Sequence, residues 1–254
     1  MSQHSPTHTL VASHPIEGTP HHNEILFKTI QAAAPFADRV VILIEPETVG
    51  NDYPSLIQEL EDNFSQTDRN GSVRYETDVS DSSLEVIESL LEMTGGARVY
   101  GVRKLELVHD TKAYLRYVPE HEIFTIDDSS SGEIIPAIQN SINSGPAVVL
   151  PNRPLAEWED TGVECSISPP SLCLGNVCHD LSRLASIEPC PDELAIELQW
   201  YESDQGQIGQ AVSWISSQIG LSRPDRLHFE STAEFSTAKE ALQTVVAGIG
   251  EEKL

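Results

Sequence analysis

DRVVILIE, residues 38–45, is the stretch on which the reading of the fold turns. Val40, Val41, Ile42, Leu43 and Ile44 follow one another without a polar residue. A strand with one face in water alternates apolar and polar side chains, whereas a strand covered on both faces does not. The run is β-branched and too short for a helix, so it predicts a strand buried on both sides.

Reading outward, helical and extended patterns alternate around it. Residues 8–14 (HTLVASH) predict a short strand, and residues 23–37 (NEILFKTIQAAAPFA) a helix capped by Asn23. Residues 53–64 (YPSLIQELEDNF) put Leu56, Ile57, Leu60 and Phe64 on one helical face, with Pro54 suited to the first turn. Residues 72–78 predict a strand, 82–93 a helix stopped by Gly95 and Gly96, and 97–102 (ARVYGV) another strand. Residues 104–118 (KLELVHDTKAYLRYV) predict a β-hairpin around His109, Asp110 and Thr111. A strand at 122–127, a helix at 132–142 and a buried strand at 146–151 follow. After an irregular stretch, strand and helix alternate again at 193–203, 206–220, 225–231 and 237–249.

Strands alternating with helices of these lengths predict an α/β protein with a Rossmann-like, largely parallel sheet and helices on both faces. The expected organisation is a flexible tail at 1–7, the Rossmann-like domain at 8–151 and an irregular Pro- and Cys-containing insertion at 152–192. A βαβα unit at 193–254 would extend the sheet or form a small second domain.

Forty Asp and Glu against fifteen Lys and Arg give a formal net charge of −25 in 254 residues. The acids are spread over every predicted helix, a pattern that high intracellular salt favours because it screens self-repulsion. The expectation is a soluble, halophilic, cytoplasmic protein. A field this negative opposes non-specific nucleic-acid binding and attraction to anionic lipid. No apolar run approaches the length of a membrane span, and the first residues lack the basic and apolar regions of a signal peptide.

In open α/β sheets ligands sit at the carboxyl ends of strands, so the first βα loop is the place to look for a site. It carries His14, Thr19, His21 and His22, with one glycine, Gly18, and therefore neither a dinucleotide fingerprint nor a P-loop. Glu45, after the second strand, and Asp127, after residues 122–126, are candidate ribose- or Mg²⁺-binding carboxylates. The alternative for these carboxylates, and for Glu47 and Asp128 beside them, is that of solvated loop groups capping the next helix. His109 beside Asp110 offers a His–carboxylate unit with no neighbouring nucleophile. Thr19-Pro20-His21-His22 resembles the (Thr/His)-x-Gly-His loop of the nucleotidyltransferases that activate small phosphorylated metabolites with ATP or CTP, with His21 where that family has glycine. The resemblance covers about the first 45 residues and implies nucleotide chemistry at this loop.

All four cysteines fall between residues 165 and 190, spaced C-x7-C-x4-C-H-x10-C. Cys165, Cys173, Cys178 and Cys190, with His179 as a substitute, would suffice for a tetrahedral zinc site or an iron–sulfur cluster. Buried inert thiols and a disulfide are the alternatives. The function expected from all this is binding of a small ligand, or a regulatory or sensor role, with a small molecule or a protein as partner. The alternative is a nucleotidyltransferase-like enzyme working through the first loop.

Overall fold

A computed structural model describes residues 4–17, 19–69, 71–94, 96–201 and 223–250. The chain divides into two units, Met1–Leu10 with Ile16–Leu150, and Val11–Pro15 with Pro151–Leu254. The first holds, in chain order, β1 (His8–Ala12), α1 (Pro20–Ala33), β2 (Arg39–Ile44), α2 (Pro46–Asp52), α3 (Pro54–Asn63), β3 (Ser65–Arg69), β4 (Ser72–Asp78), α4 (Asp81–Glu92), α5 (Gly96–Gly101), β5 (Val102–His109), β6 (Lys112–Val118), β7 (Ile123–Ile126), α6 (Ile134–Ile142) and β8 (Ala147–Pro151).

The sheet is not the largely parallel, Rossmann-like one that the alternation predicts. Its eight strands run in the order β3-β4-β2-β5-β6-β7-β1-β8, and β2 is antiparallel to both its neighbours, β4 and β5. The strand missed in the sequence is β3, SQTDR, which has no apolar residue and pairs antiparallel with β4 in a hairpin. That hairpin returns β4 antiparallel beside β2, and the helical connection from β4 to β5 then crosses β2, a split β-α-β arrangement. β5, β6 and β7 continue as an antiparallel meander. The predicted strand at 97–102 is mostly α5, and β5 begins only at Val102.

Register shows why residues 40–44 lack alternation. One row across the sheet joins Tyr75, Ile42, Leu105, Tyr117 and Phe124, each at most 2 % exposed. The next row, on the other face, joins Ser65, Glu76, Val41, Glu106, Arg116, Thr125 and Thr9. Val41 therefore lies on a charged face, where it is buried with Val108 and Ala113. Glu106 is fully buried there between Lys104 (3.0 Å) and Arg116 (2.7 Å), and Glu76 is bound by Arg74 and Arg39. α1 packs on α4 and α6, and α3 on α4, so these helices form one layer. The N-terminal residues expected to be flexible are fastened from residue 4 onward: the His4 ring bonds the Ala113 carbonyl and the Thr125 hydroxyl, and the Ser5 amide donates to Asp127.

The second unit holds β9 (Ala156–Asp160), β10 (Val163–Ser168), β11 (Ser171–Leu174), β12 (Val177–Asp180), β13 (Leu184–Cys190), β14 (Ala195–Trp200), β15 (Arg226–His228) and α7 (Thr232–Ile249). The segment expected to be irregular, 152–192, is thus mostly strand. β9 to β12 form a four-stranded antiparallel meander, and β13, β14 and β15 a separate three-stranded sheet. Two-residue turns set the meander: Thr161 (φ 50°) and Gly162 (φ 82°) between β9 and β10, as a type I′ hairpin demands, and Gly175 (φ 59°) at the first position of the turn between β11 and β12. Strands this short, joined by such turns, leave too little pattern to read. α7 opens with a capping box between Ser231 and Glu234 and packs on β9, β10, β13 and β14. Trp158, Phe229 and Phe235 form an aromatic chain in this core, with ring centroids 5.1 and 5.9 Å apart. The helix expected at 206–220 lies outside the described residues. Among those described, no helix is long and apolar enough to cross a membrane.

Candidate ligand-binding cleft

α1 begins at Pro20, not at the expected Asn23. Thr19 is its cap: the hydroxyl accepts from the His22 amide (3.3 Å) and donates to the Ile16 carbonyl (2.6 Å). Pro20 suits the first helical position, where no amide donor is needed. This start sends the two adjacent histidines apart. His21 is exposed, its ring 3.4 Å from Glu24. His22 is only 6 % exposed, and its Nδ1 has no hydrogen-bond partner. Burial, helped by the nearby Arg98 charge and opposed by Glu17, pushes its pKa down to about 4. A neutral, buried imidazole supplies no cation for a phosphate.

Asn23, freed from capping, accepts a 2.6 Å hydrogen bond from Arg98, which is itself only 7 % exposed. Burial also pushes the neighbouring Tyr117 phenol up to about 12. Asn23 forms part of the wall of a cleft of about 400 Å³ between α1 and α4. Pro20, Phe27 and Leu91 give the cleft an apolar surface, Thr94 and Asn23 give it neutral polar groups, and Glu24, Glu88 and Glu92 give it carboxylates. Glu24 is already paired with Lys28 at 2.6 Å. Glu88 and Glu92, one turn apart on α4, have no basic partner among the described residues. The Thr94 amide donates to the Tyr53 hydroxyl at 3.2 Å, which fixes the end of the cleft beyond α4.

None of the candidate ligand- or metal-binding side chains named from the sequence lines this cleft. His14 belongs to the second unit, in a 3-10 turn. Glu45 is held by Arg103 (2.6 Å) at the start of α2. Asp127 is buried; burial alone would raise its pKa, but hydrogen bonds from Ser129 and Lys112 hold it below the usual carboxylate value. Asp128 caps α6 through the Ile134 and Ile135 amides. Asn23 and Arg98 were missed because an asparagine before an apolar run reads as a cap, and an arginine in ARVYGV reads as an exposed strand residue.

The cysteine ligand set does not assemble. Cys173 and Cys178 are directly opposed across β11 and β12 and joined in a disulfide. Cys165 is in register with Leu174 and Trp158, whereas Cys173 is in register with Ser166. Alternation therefore turns Cys165 and Cys173 to opposite faces of the sheet. His179 and Cys178, as neighbours on one strand, are likewise divided, and Cys190 lies in the other sheet. Among the described residues, the one group of three or more histidine, cysteine or acidic side chains with ligand atoms within 4.8 Å of one another is Asp38, His109 and Asp110. It could hold a metal ion; all three are exposed, and the His109 Nδ1 lies 2.8 Å from Asp38. This corrects the expectation of a zinc or iron–sulfur site on the cysteines.

The disulfide closes a short loop, with partners five residues apart. By chain entropy it stabilises the second unit by about 2 kcal/mol. Reduction is therefore expected to lower the urea midpoint followed by tryptophan fluorescence, since all three tryptophans lie beyond residue 150. Coincident curves with and without reductant would refute this.

No family model, no curated protein and no solved structure matches the chain.

Proposed function

We propose that this is a ligand-binding protein whose first unit takes a small organic cation with an apolar body in the cleft between α1 and α4. The observation that carries the reading is the pairing of an apolar surface, Phe27 and Leu91, with two carboxylates that lack basic partners, Glu88 and Glu92. A volume of about 400 Å³ lies within the range of small-molecule sites. Asn23, held from behind by the buried Arg98, supplies a fixed hydrogen-bonding group at low entropic cost.

Calorimetry with phenethylamine and hexylamine, and with phenylacetate as the anionic control, tests the reading. Saturable binding of the amines with one site per chain is expected, weakened about tenfold or more in Glu88→Gln/Glu92→Gln, as for loss of charge-assisted hydrogen bonds. Absence of saturable amine binding, or equal binding of phenylacetate, would refute it.

A further inference from the structure

We propose, on the reading of the cleft between α1 and α4 as a site for an organic cation, that the cation also carries an uncharged carbonyl, as amides of apolar α-amino acids do, and that the Asn23 side chain receives it. Arg98 fixes what Asn23 can offer. A guanidinium has only donors, so the atom 2.6 Å from Arg98 Nη1 is the Asn23 amide oxygen. Arg98 is 7 % exposed and stands outside the cleft wall, whereas Asn23 is part of that wall. The oxygen is thus turned away from the cleft, and the Nδ2 amide is left to face it. Rotating the amide would set an N–H against the buried guanidinium, so the orientation is held. Among the described residues this Nδ2 donates to no acceptor.

The rest of the described wall leaves Asn23 as its one fixed side-chain donor. Glu24, Glu88 and Glu92 only accept when ionised, and Pro20 has no amide hydrogen. The Thr94 amide is already given to the Tyr53 hydroxyl at 3.2 Å, and the Thr94 hydroxyl lies 3.4 Å from the same oxygen. A ligand that satisfies this wall brings a cation for the carboxylates, an apolar body for Phe27 and Leu91, and an acceptor for Asn23. The acceptor is uncharged, because a carboxylate would stand among Glu24, Glu88 and Glu92. A site that offers a fixed donor discriminates against a ligand that leaves it unpaired. The amide of an apolar α-amino acid carries the ammonium, the carbonyl and the apolar side chain on one small frame.

The test uses the full chain and calorimetry at about pH 6, where an α-amino group is protonated. The probes are phenylalanine dimethylamide, whose carbonyl accepts and which has no amide N–H, phenethylamine, which lacks the carbonyl, and phenylalanine, which has a carboxylate instead. The dimethylamide is expected to bind about fivefold tighter than phenethylamine, as for one added hydrogen bond, and phenylalanine more weakly than either. Asn23→Asp keeps an acceptor for Arg98 and loses the donor, so the preference for the dimethylamide over phenethylamine should disappear. In the parent protein the Asn23 side-chain amide proton should move downfield with the dimethylamide and not with phenethylamine. Equal affinities for these two ligands in the parent, or a preference unchanged in Asn23→Asp, would overturn the carbonyl and leave the cation site standing. Phenylalanine binding as tightly as the dimethylamide would overturn the requirement that the acceptor be uncharged. If neither amine binds saturably, the cation site itself is refuted and the carbonyl with it.

Discussion

Replacing both Lys104 and Arg116 by methionine is expected to destabilise the first unit by about 3–5 kcal/mol, as when a buried charge loses its partners. Glu106 sits on the central strand β5 with no exposed surface, and these two side chains lie 3.0 and 2.7 Å from its carboxylate. Their own charges are about a quarter exposed and can return to water. The carboxylate cannot do so without opening the sheet. The asymmetry gives the test a second arm. Adding Glu106→Leu to the double variant removes the stranded charge and should recover most of the loss, since an apolar side chain can replace a buried ion pair at little cost. Urea unfolding followed by circular dichroism, with the midpoint read at constant slope, measures both steps. A double variant within 1 kcal/mol of the parent, or no recovery on removing Glu106, would show that this ion pair does not hold the sheet together.

The second large effect is a dependence on pH that passes through His22. Its folded-state pKa is depressed to about 4 from the ordinary 6.5. Between these values the unfolded chain takes up a proton that the folded one refuses, so stability rises with pH across the window. The contribution is complete above about pH 6.5 and is lost as pH falls toward 4, at about 1.4 kcal/mol per pH unit and about 3 kcal/mol in all. Carboxylates also protonate in this range, so the informative quantity is the difference between the parent and His22→Leu. The variant should lose stability less steeply between pH 6.5 and 4.5, by about one bound proton. Parallel curves would show that the imidazole protonates without opening the core.

Much of the secondary structure was legible because local rules decide it. Pro54 and the spacing of Leu56 and Leu60 mark α3, and the polar break at His109-Asp110-Thr111 marks the turn between β5 and β6. The sheet was misread because strand direction is not a local property. One polar edge strand, β3, reverses the chain and converts an apparent parallel repeat into an antiparallel order. The candidate site was illegible for a related reason. Asn23, Phe27, Glu88 and Leu91 become one surface only where α1 packs on α4, and no spacing along the chain encodes that contact.

By itself, the sequence determined the acidic field, the positions of most helices and strands, and the crowding of four cysteines into 26 residues. Only the tertiary structure decided what those cysteines do. Register placed Cys173 opposite Cys178, and strand alternation turned Cys165 to the other face. The same alternation decided the meaning of residues 38–45. Ile42 joins the apolar core, while Val41, equally apolar and equally buried, sits in a row with Glu76, Glu106 and Arg116, because neighbouring residues of a strand point to opposite sides of the sheet.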